Sequence, residues 1–132
     1  MRDQRDDVVV DVAIVGGGPA GLALARALAL QGVEPVVVAA STEWHATYGV
    51  WRNDVADCDL GGELDTLVRG AWPTVRVVGK RQHLLQRPYV VFDNARLRSS
   101  LLAGVQVQCD TAVQAEHTTD TTSLRLHSGA TI

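Results

Sequence analysis

The sequence predicts an α/β fold, a parallel sheet with helices followed by a β-meander. Three stretches carry that expectation. Val12-Ala13-Ile14-Val15 is an apolar run that turns through Gly16-Gly17-Gly18-Pro19-Ala20-Gly21 into the Ala/Leu-rich segment Leu22–Leu30. A second apolar run, Val36-Val37-Val38, follows closely, and a third, alternating one spans Val105–Gln108. Strand, helix and strand in so short a span predict a right-handed parallel crossover. From Ala112 onward, short alternating runs separated by Thr/Asp and Ser-Gly turns predict the meander.

The glycines at 16, 18 and 21 fall as G-x-G-x-x-G between a strand and a helix. In that context the pattern points to a dinucleotide-binding turn. Gly16 permits the tight turn, Gly18 lets backbone approach a pyrophosphate, and Gly21 lets the helix pack closely on the strand. Pro19 and Ala20 open the helix, whose unpaired N–H groups and positive dipole end favour phosphate. The same geometry also serves a glycine turn that only packs strand on helix. The usual ribose acid, about 20 residues beyond the glycines, is missing: Ala39 and Ala40 stand there, followed by Ser41 and Glu43. Either Ser41 or Glu43 serves the ribose, or the contact is lost. A lost charge-assisted hydrogen bond would weaken binding by about 1.5–3 kcal/mol.

Along the rest of the chain, Met1–Asp7 is charged in both signs and is expected to be a flexible leader, with one nucleotide-binding domain over 8–132. The first strand is expected within Val8–Val15, covered on both faces. The first helix is expected over Ala20–Gln31, well buried and closed by Gly32. Ser41–Asp59 reads as a long connection holding Trp44, Tyr48 and Trp51, and a loop of that length is usually functional or disordered. A short helix is expected from Leu60 toward Gly70, with a break at Trp72-Pro73. Val75–Val78 and Tyr89–Phe92 read as strands joined through Gly79–Pro88. Asp93-Asn94 is an N-cap signal for a helix over Ala95–Ala103, stopped by Gly104. Ala112–His117 and Leu124–His127 read as a hairpin, and Ala130-Thr131-Ile132 begins a third strand. The meander is interrupted there, which reads as the front portion of a larger protein.

Composition excludes several classes. The net charge of −3, with 11 Arg and one Lys scattered along the chain, gives no electrostatic case for nucleic acid. Cys58 and Cys109 form no C-x-x-C, and the four His show no metal-ligand spacing, so neither a redox pair nor a metal site is expected. The N-terminus lacks the apolar core of a signal peptide. The longest apolar region, Leu22–Leu30, is interrupted by Arg26 and falls far short of the roughly 20 residues of a membrane span. A cytoplasmic location is the expectation, with peripheral membrane association left to regions outside this chain.

Further motifs narrow the reading. Thr47-Tyr48-Gly49-Val50-Trp51-Arg52-Asn53-Asp54 resembles the Tyr-Gly-Val-Trp-x-Asp-Glu motif of lycopene cyclases. Trp72 and Arg87-Pro88-Tyr89 resemble that family's next two landmarks, and Phe92-Asp93-Asn94-Ala95-Arg96-Leu97 with Leu101 resembles its Val-Asp-Arg-x-x-Leu helix. The order of elements is similar to the FAD-binding half of hydroxybenzoate-hydroxylase-type flavoproteins, a Rossmann-like fold. The chain departs from the family at Asn53, where the family has Asp, and at Asn94, where it has Arg. The family's essential Phe-Leu-Glu-Glu-Thr stretch is not in this sequence.

The resemblance implies FAD as cofactor, used in reduced form with NAD(P)H as electron source, and a carotenoid substrate. It implies redox-neutral cyclisation: protonation of a linear polyene end, ring closure and proton loss. Such chemistry needs an acid placed in an apolar pocket. Asp54 is the catalytic candidate within the aromatic loop, and Tyr48 and Trp51 offer faces for cation–π stabilisation. The cofactor candidates are Gly16, Gly18, Pro19, Ala20, Gly21, Ser41, Asn94 and Val113, the last through backbone bonds to adenine. The alternatives are an FAD-dependent monooxygenase or other oxidoreductase of the same superfamily, and a nucleotide-binding module without catalysis. This chain alone is expected to be inactive as a cyclase.

Overall fold

A computed structural model describes residues 7–132, so all of the expected leader but Asp7 lies outside the described residues. In chain order the elements are β1 (Ala13–Val15), α1 (Pro19–Leu30), β2 (Val36–Val38), β3 (Gly49–Trp51), α2 (Arg52–Val55), α3 (Leu64–Leu67) and β4 (Val68–Trp72). There follow β5 (Val75–Val78), β6 (Gln82–Leu85), β7 (Tyr89–Phe92), α4 (Asn94–Leu102), β8 (Gln106–Gln108), β9 (Ala112–His117) and β10 (Thr122–Leu126). They form two compact units. One comprises the described residues up to Glu43 with Gly104–Ile132, the other Trp44–Ala103.

The first unit holds the predicted parallel sheet. Its order is β1-β2-β8, with Ala13 opposite Val36 and Val36 opposite Gln106. The central strand is uninterrupted Val and fully buried, as expected of a strand covered on both faces. On one face Val36 and Val38 pack with Leu124 and Leu126 of the β9–β10 hairpin, joined by Ala13, Ala112 and Ile132. α1 packs on β1 and β2 and buries Leu22 and Ala25 completely. The sequence predicted a helix buried nearly all round. Instead Leu24 and Leu30 stand half exposed, because the sheet covers one face of α1 only. Val15, at the end of edge strand β1, is likewise exposed. The helix closes at Gly32, whose φ of +80° is the left-handed conformation that favours glycine. Where a third meander strand was expected to begin, Ala130–Ile132 forms an isolated bridge, Thr131 opposite Arg125, flanked by paired backbone hydrogen bonds between Leu124 and Ile132.

The second unit is built on an antiparallel sheet of order β3-β7-β4, with β5–β6 as a separate hairpin. Three expectations are corrected here. The aromatic connection contains a strand and a helical turn, because Gly49–Trp51 pairs with Tyr89–Val91. The helix expected from Leu60 is confined to Leu64–Leu67, and the chain then extends as β4, with an irregularity in its pairing to β7 between Val68 and Gly70. The segment joining Val78 to Tyr89 holds β6, so β5 pairs with β6 and not with β7. Asp93 caps α4 as predicted, its carboxylate accepting from the Arg96 N–H at 3.0 Å. Val90, Phe92, Leu97, Leu101, Leu60 and Leu67 are the buried side chains of this unit.

Asp110, in the turn from β8 to β9, is held below the usual carboxylate value. The Ser128 hydroxyl contributes most, followed by the Thr111 N–H, which donates at 2.7 Å. A lowered folded-state pKa stabilises the fold above the ordinary value, and that stability is lost as pH falls through the folded value. Thermal melts between about pH 6 and pH 3 should therefore show an acid-induced loss of stability that is smaller in Asp110→Asn. An equal loss in the variant would exclude this contribution.

Candidate functional site

The glycine turn in the first unit satisfies the geometry its spacing demands. Gly16 has φ +118° and donates its N–H to the Val38 carbonyl at 2.9 Å, which ties the turn to β2. A Cβ on Gly21 would fall on the Gly16 carbonyl oxygen, so helix and turn meet there without room for a side chain. A Cβ on Gly17 would lie 2.9 Å from the Ala39 Cβ and 3.1 Å from the Ser41 carbonyl oxygen. Gly18 differs: nothing lies within 4 Å of a Cβ built there, and its φ of −75° suits any residue. The fold thus needs glycine at 16 for its positive φ and leaves no room for a side chain at 17 and 21, while Gly18 has open space and an ordinary φ.

That open space lies at the start of α1. Gly18 is the N-cap, its side chain necessarily offering no cap, and Pro19 occupies the first turn, which contains no acidic residue. The first intrahelical bond of this turn runs from the Leu22 N–H to the Gly18 carbonyl, at 3.0 Å. The N–H groups of Ala20 and Gly21 precede it and have no helical acceptor. Ser41 is exposed beyond the end of β2, its hydroxyl accepting from the Glu43 N–H at 3.0 Å. Ala39, at the position of the usual ribose acid, is buried. Val113 lies on β9, half exposed. A cradle with no side chain in front of Gly18 and uncapped donors behind it fits a dinucleotide pyrophosphate.

In the second unit the sheet register brings together motifs that are far apart in sequence. Trp51 of β3 lies opposite Tyr89 of β7, and Tyr89 lies opposite Trp72 of β4. The three rings form a row across one face of the sheet. Trp51 and Tyr89 meet edge-to-face, 5.2 Å between centroids at 77°. The flanking glycines make room for the row: a Cβ on Gly49 would be 2.5 Å from the Tyr89 hydroxyl, and one on Gly70 would be 2.5 Å from the Trp72 ring. Sequence reading found the three motifs but not their register, which no local signal encodes.

Arg87 caps one end of this row. Its guanidinium lies 4.8 Å from the Trp51 ring centroid and donates to the Asp54 carboxylate at 2.5 Å. Asp54 is half exposed and Asn53 is exposed. Arg52 turns the other way, pairing with Asp65 at 2.8 Å, and this partnership lowers the Asp65 pKa and raises that of Arg52. Trp44 and Tyr48 form a second edge-to-face pair at 5.7 Å. Asn94 donates its side-chain amide to the Ala46 carbonyl at 2.8 Å and the Trp44 carbonyl at 3.3 Å, so it ties the aromatic loop to the start of α4. Replacing Arg87 by Ala removes a cation–π contact and an exposed ion pair together. It should cost about 1 kcal/mol and alter the near-ultraviolet circular dichroism of Trp51. An unchanged spectrum and midpoint would show that Arg87 does not order the row.

Comparison with known proteins agrees with this geometry. The family model described as lycopene cyclase protein matches residues 11–132. Lycopene beta cyclase of Capsicum annuum is 32% identical over 139 residues, covering 100% of this chain and 28% of the relative. An uncharacterized carotenoid cyclase of Deinococcus radiodurans is 36% identical over 98 residues, 69% of this chain and 22% of that protein. Among solved structures, 2-methyl-3-hydroxypyridine-5-carboxylic acid oxygenase superposes with a TM-score of 0.69 at 20% identity, over 95% of this chain and 37% of that one. A flavin-dependent brominase gives 0.69 at 16% identity, over 93% and 35%. At these identities the structural likeness is one of fold. The chain spans roughly a quarter of the length of the curated cyclases it matches. Motifs, register and family match together establish that this chain belongs to the lycopene cyclase family.

Proposed function

We propose that residues 8–132 are the N-terminal FAD-binding domain of a lycopene-cyclase-type flavoprotein acting on a linear carotenoid. The observation that carries the flavin part is the cradle at Gly16–Gly21, closed at Gly17 and Gly21 and open in front of Gly18, where the backbone conformation is ordinary. In this reading Gly16, Gly18, Pro19, Ala20 and Gly21 hold the pyrophosphate. Ser41 takes the ribose in place of an acid, and the backbone at Val113 meets the adenine. Asn94 stands where the family has Arg, and it supports the aromatic loop through the Trp44 and Ala46 carbonyls. Reduced flavin, with NAD(P)H as electron source, would supply stabilisation of positive charge without net redox change.

The chain's own contribution to cyclisation is the aromatic row. Trp51, Tyr89 and Trp72 present π faces that attract a carbocation. Asp54 is the carboxylate tied to that row through Arg87. The relatives' printed names place several of them in chloroplasts, and among the described residues no helix is long and apolar enough to cross a membrane. A cytoplasmic location, with membrane association in the whole protein, is the proposal for this chain.

The test is a titration of the purified chain with FAD, followed by quenching of flavin fluorescence. Saturable one-to-one binding is expected. Absence of binding would leave a nucleotide-binding fold without its ligand. Oxygen consumption with NAD(P)H and FAD would favour the monooxygenase alternative, which the fold of its solved neighbours also accommodates.

A further inference from the structure

At the edge of the parallel sheet where the glycine turn lies, two neighbouring strand ends meet. β2 ends in Ala39-Ala40, with no acid at the position where this fold usually reads the ribose. The side chain of residue 39 faces the glycine turn, since a Cβ on Gly17 would lie 2.9 Å from the Ala39 Cβ. β8 runs alongside, with Gln108 opposite Val38, and is followed by Cys109 and Asp110. The Gln108 carbonyl accepts from the Ala39 N–H at 3.1 Å and from the Asp110 N–H at 2.9 Å. Residues 39 and 110 therefore meet on one carbonyl oxygen, although they are far apart in sequence. In open α/β sheets ligands bind outside the carboxyl ends of the strands, and both residues stand there.

We infer that Asp110 supplies, from β8, the ribose-reading carboxylate that β2 lacks, and so gives this cradle a preference for a free ribose 2′-hydroxyl over a 2′-phosphate. The inference rests on the nucleotide-binding reading above and adds an acceptor to it. The Ser41 hydroxyl oxygen already accepts from the Glu43 N–H, so its O–H is left to donate. A ribose hydroxyl that donates needs an acceptor as well. Asp110 is partly exposed, and its carboxylate is held by the Ser128 hydroxyl and by the Thr111 N–H at 2.7 Å, with smaller contributions from the Ser128 backbone and His127. These partners favour the charged form. A carboxylate has about four lone-pair sites, so it can accept a ribose hydroxyl besides them. Chain continuity agrees. Asp110 stands three residues before Val113, whose backbone is assigned to the adenine, and adenine and its ribose are covalently joined. A 2′-phosphate in the same place would set two anions against each other.

The test is titration of the full chain with FAD, read by flavin fluorescence, with NAD+ and NADP+ as competitors that differ only in the 2′-phosphate. In the wild type NAD+ should displace FAD at a concentration about tenfold lower than NADP+ requires. Asp110→Asn keeps an acceptor for the Thr111 N–H and removes the charge. It should weaken FAD binding by about tenfold and close the gap between the competitors, with the circular dichroism spectrum unchanged. Ala39→Asp in that background should restore both, a rescue that a purely structural role for Asp110 would not give. Unchanged FAD affinity and NAD+ preference in Asp110→Asn would overturn the inference and leave the flavin reading intact. Equal displacement by the two competitors in the wild type, a measurement that needs no variant, would do the same. Loss of both properties in Glu43→Gln, with Asp110→Asn unaffected, would assign the ribose to Glu43 and overturn the inference too. Binding of neither FAD nor NAD+ by the wild type would overturn the flavin reading and the inference together.

Discussion

Gly18→Val is expected to abolish flavin binding while leaving the fold intact. These two effects are usually confounded in glycine turns, and here the geometry separates them. A Cβ at residue 18 meets nothing within 4 Å, and φ −75° is an ordinary value for valine. The branched side chain would instead fill the space before the first turn of α1. A pyrophosphate would then lose its approach to the N–H groups of Ala20 and Gly21. Two charge-assisted bonds of at least about 1.5 kcal/mol each correspond to a loss of roughly 100-fold or more in affinity. Gly21→Val is the contrasting variant. Its Cβ would fall on the Gly16 carbonyl oxygen, so it should destabilise the fold by about 3 kcal/mol, at the upper end of overpacking costs. Flavin fluorescence and thermal melts on both variants check the pair. Retained flavin in Gly18→Val would place the cofactor elsewhere, and an unfolded Gly18→Val would show that the turn has no open side.

The contrast between those glycines also marks what was legible in the sequence. Gly16, Gly18 and Gly21 sit between an apolar run and a helix, all within a few residues, so local spacing fixes their geometry. The parallel partners Val36–Val38 and Val105–Val107 were legible because short aliphatic runs bounded by turns have few other uses. β6 was not. Gln82-His83-Leu84-Leu85 has no polar–apolar alternation, and all four residues are exposed, so no buried face imposed one. β3 was hidden for a different reason. Its three residues are recognisable only through their partners Tyr89–Val91, some 40 positions later. The aromatic row of Trp51, Tyr89 and Trp72 is a product of register, and register is set by the whole sheet. Sequence motifs identified its members; the fold made them neighbours.

Residues 1–132 alone are expected not to cyclise lycopene, and the arrangement of the second unit gives the reason. Ring closure needs a proton donor held against an apolar polyene with water excluded. Of the carboxylates in the aromatic loop, Asp54 is the one tied to the aromatic row, and it is half exposed and bound to Arg87 at 2.5 Å. An ion-paired carboxylate in contact with solvent holds an arginine in place; it does not present a proton to a hydrocarbon. Asn53, beside it, has no ionisable group. Trp72 at the end of the aromatic row is half exposed, so a cation there would compete with water for the ring faces. Lycopene, FAD and a reductant supplied to the purified chain should therefore give no cyclic carotene above a no-protein control. Ring product would overturn this expectation and make Asp54→Asn the first variant to test, because loss of activity in it would assign the proton to a carboxylate that Arg87 must first release.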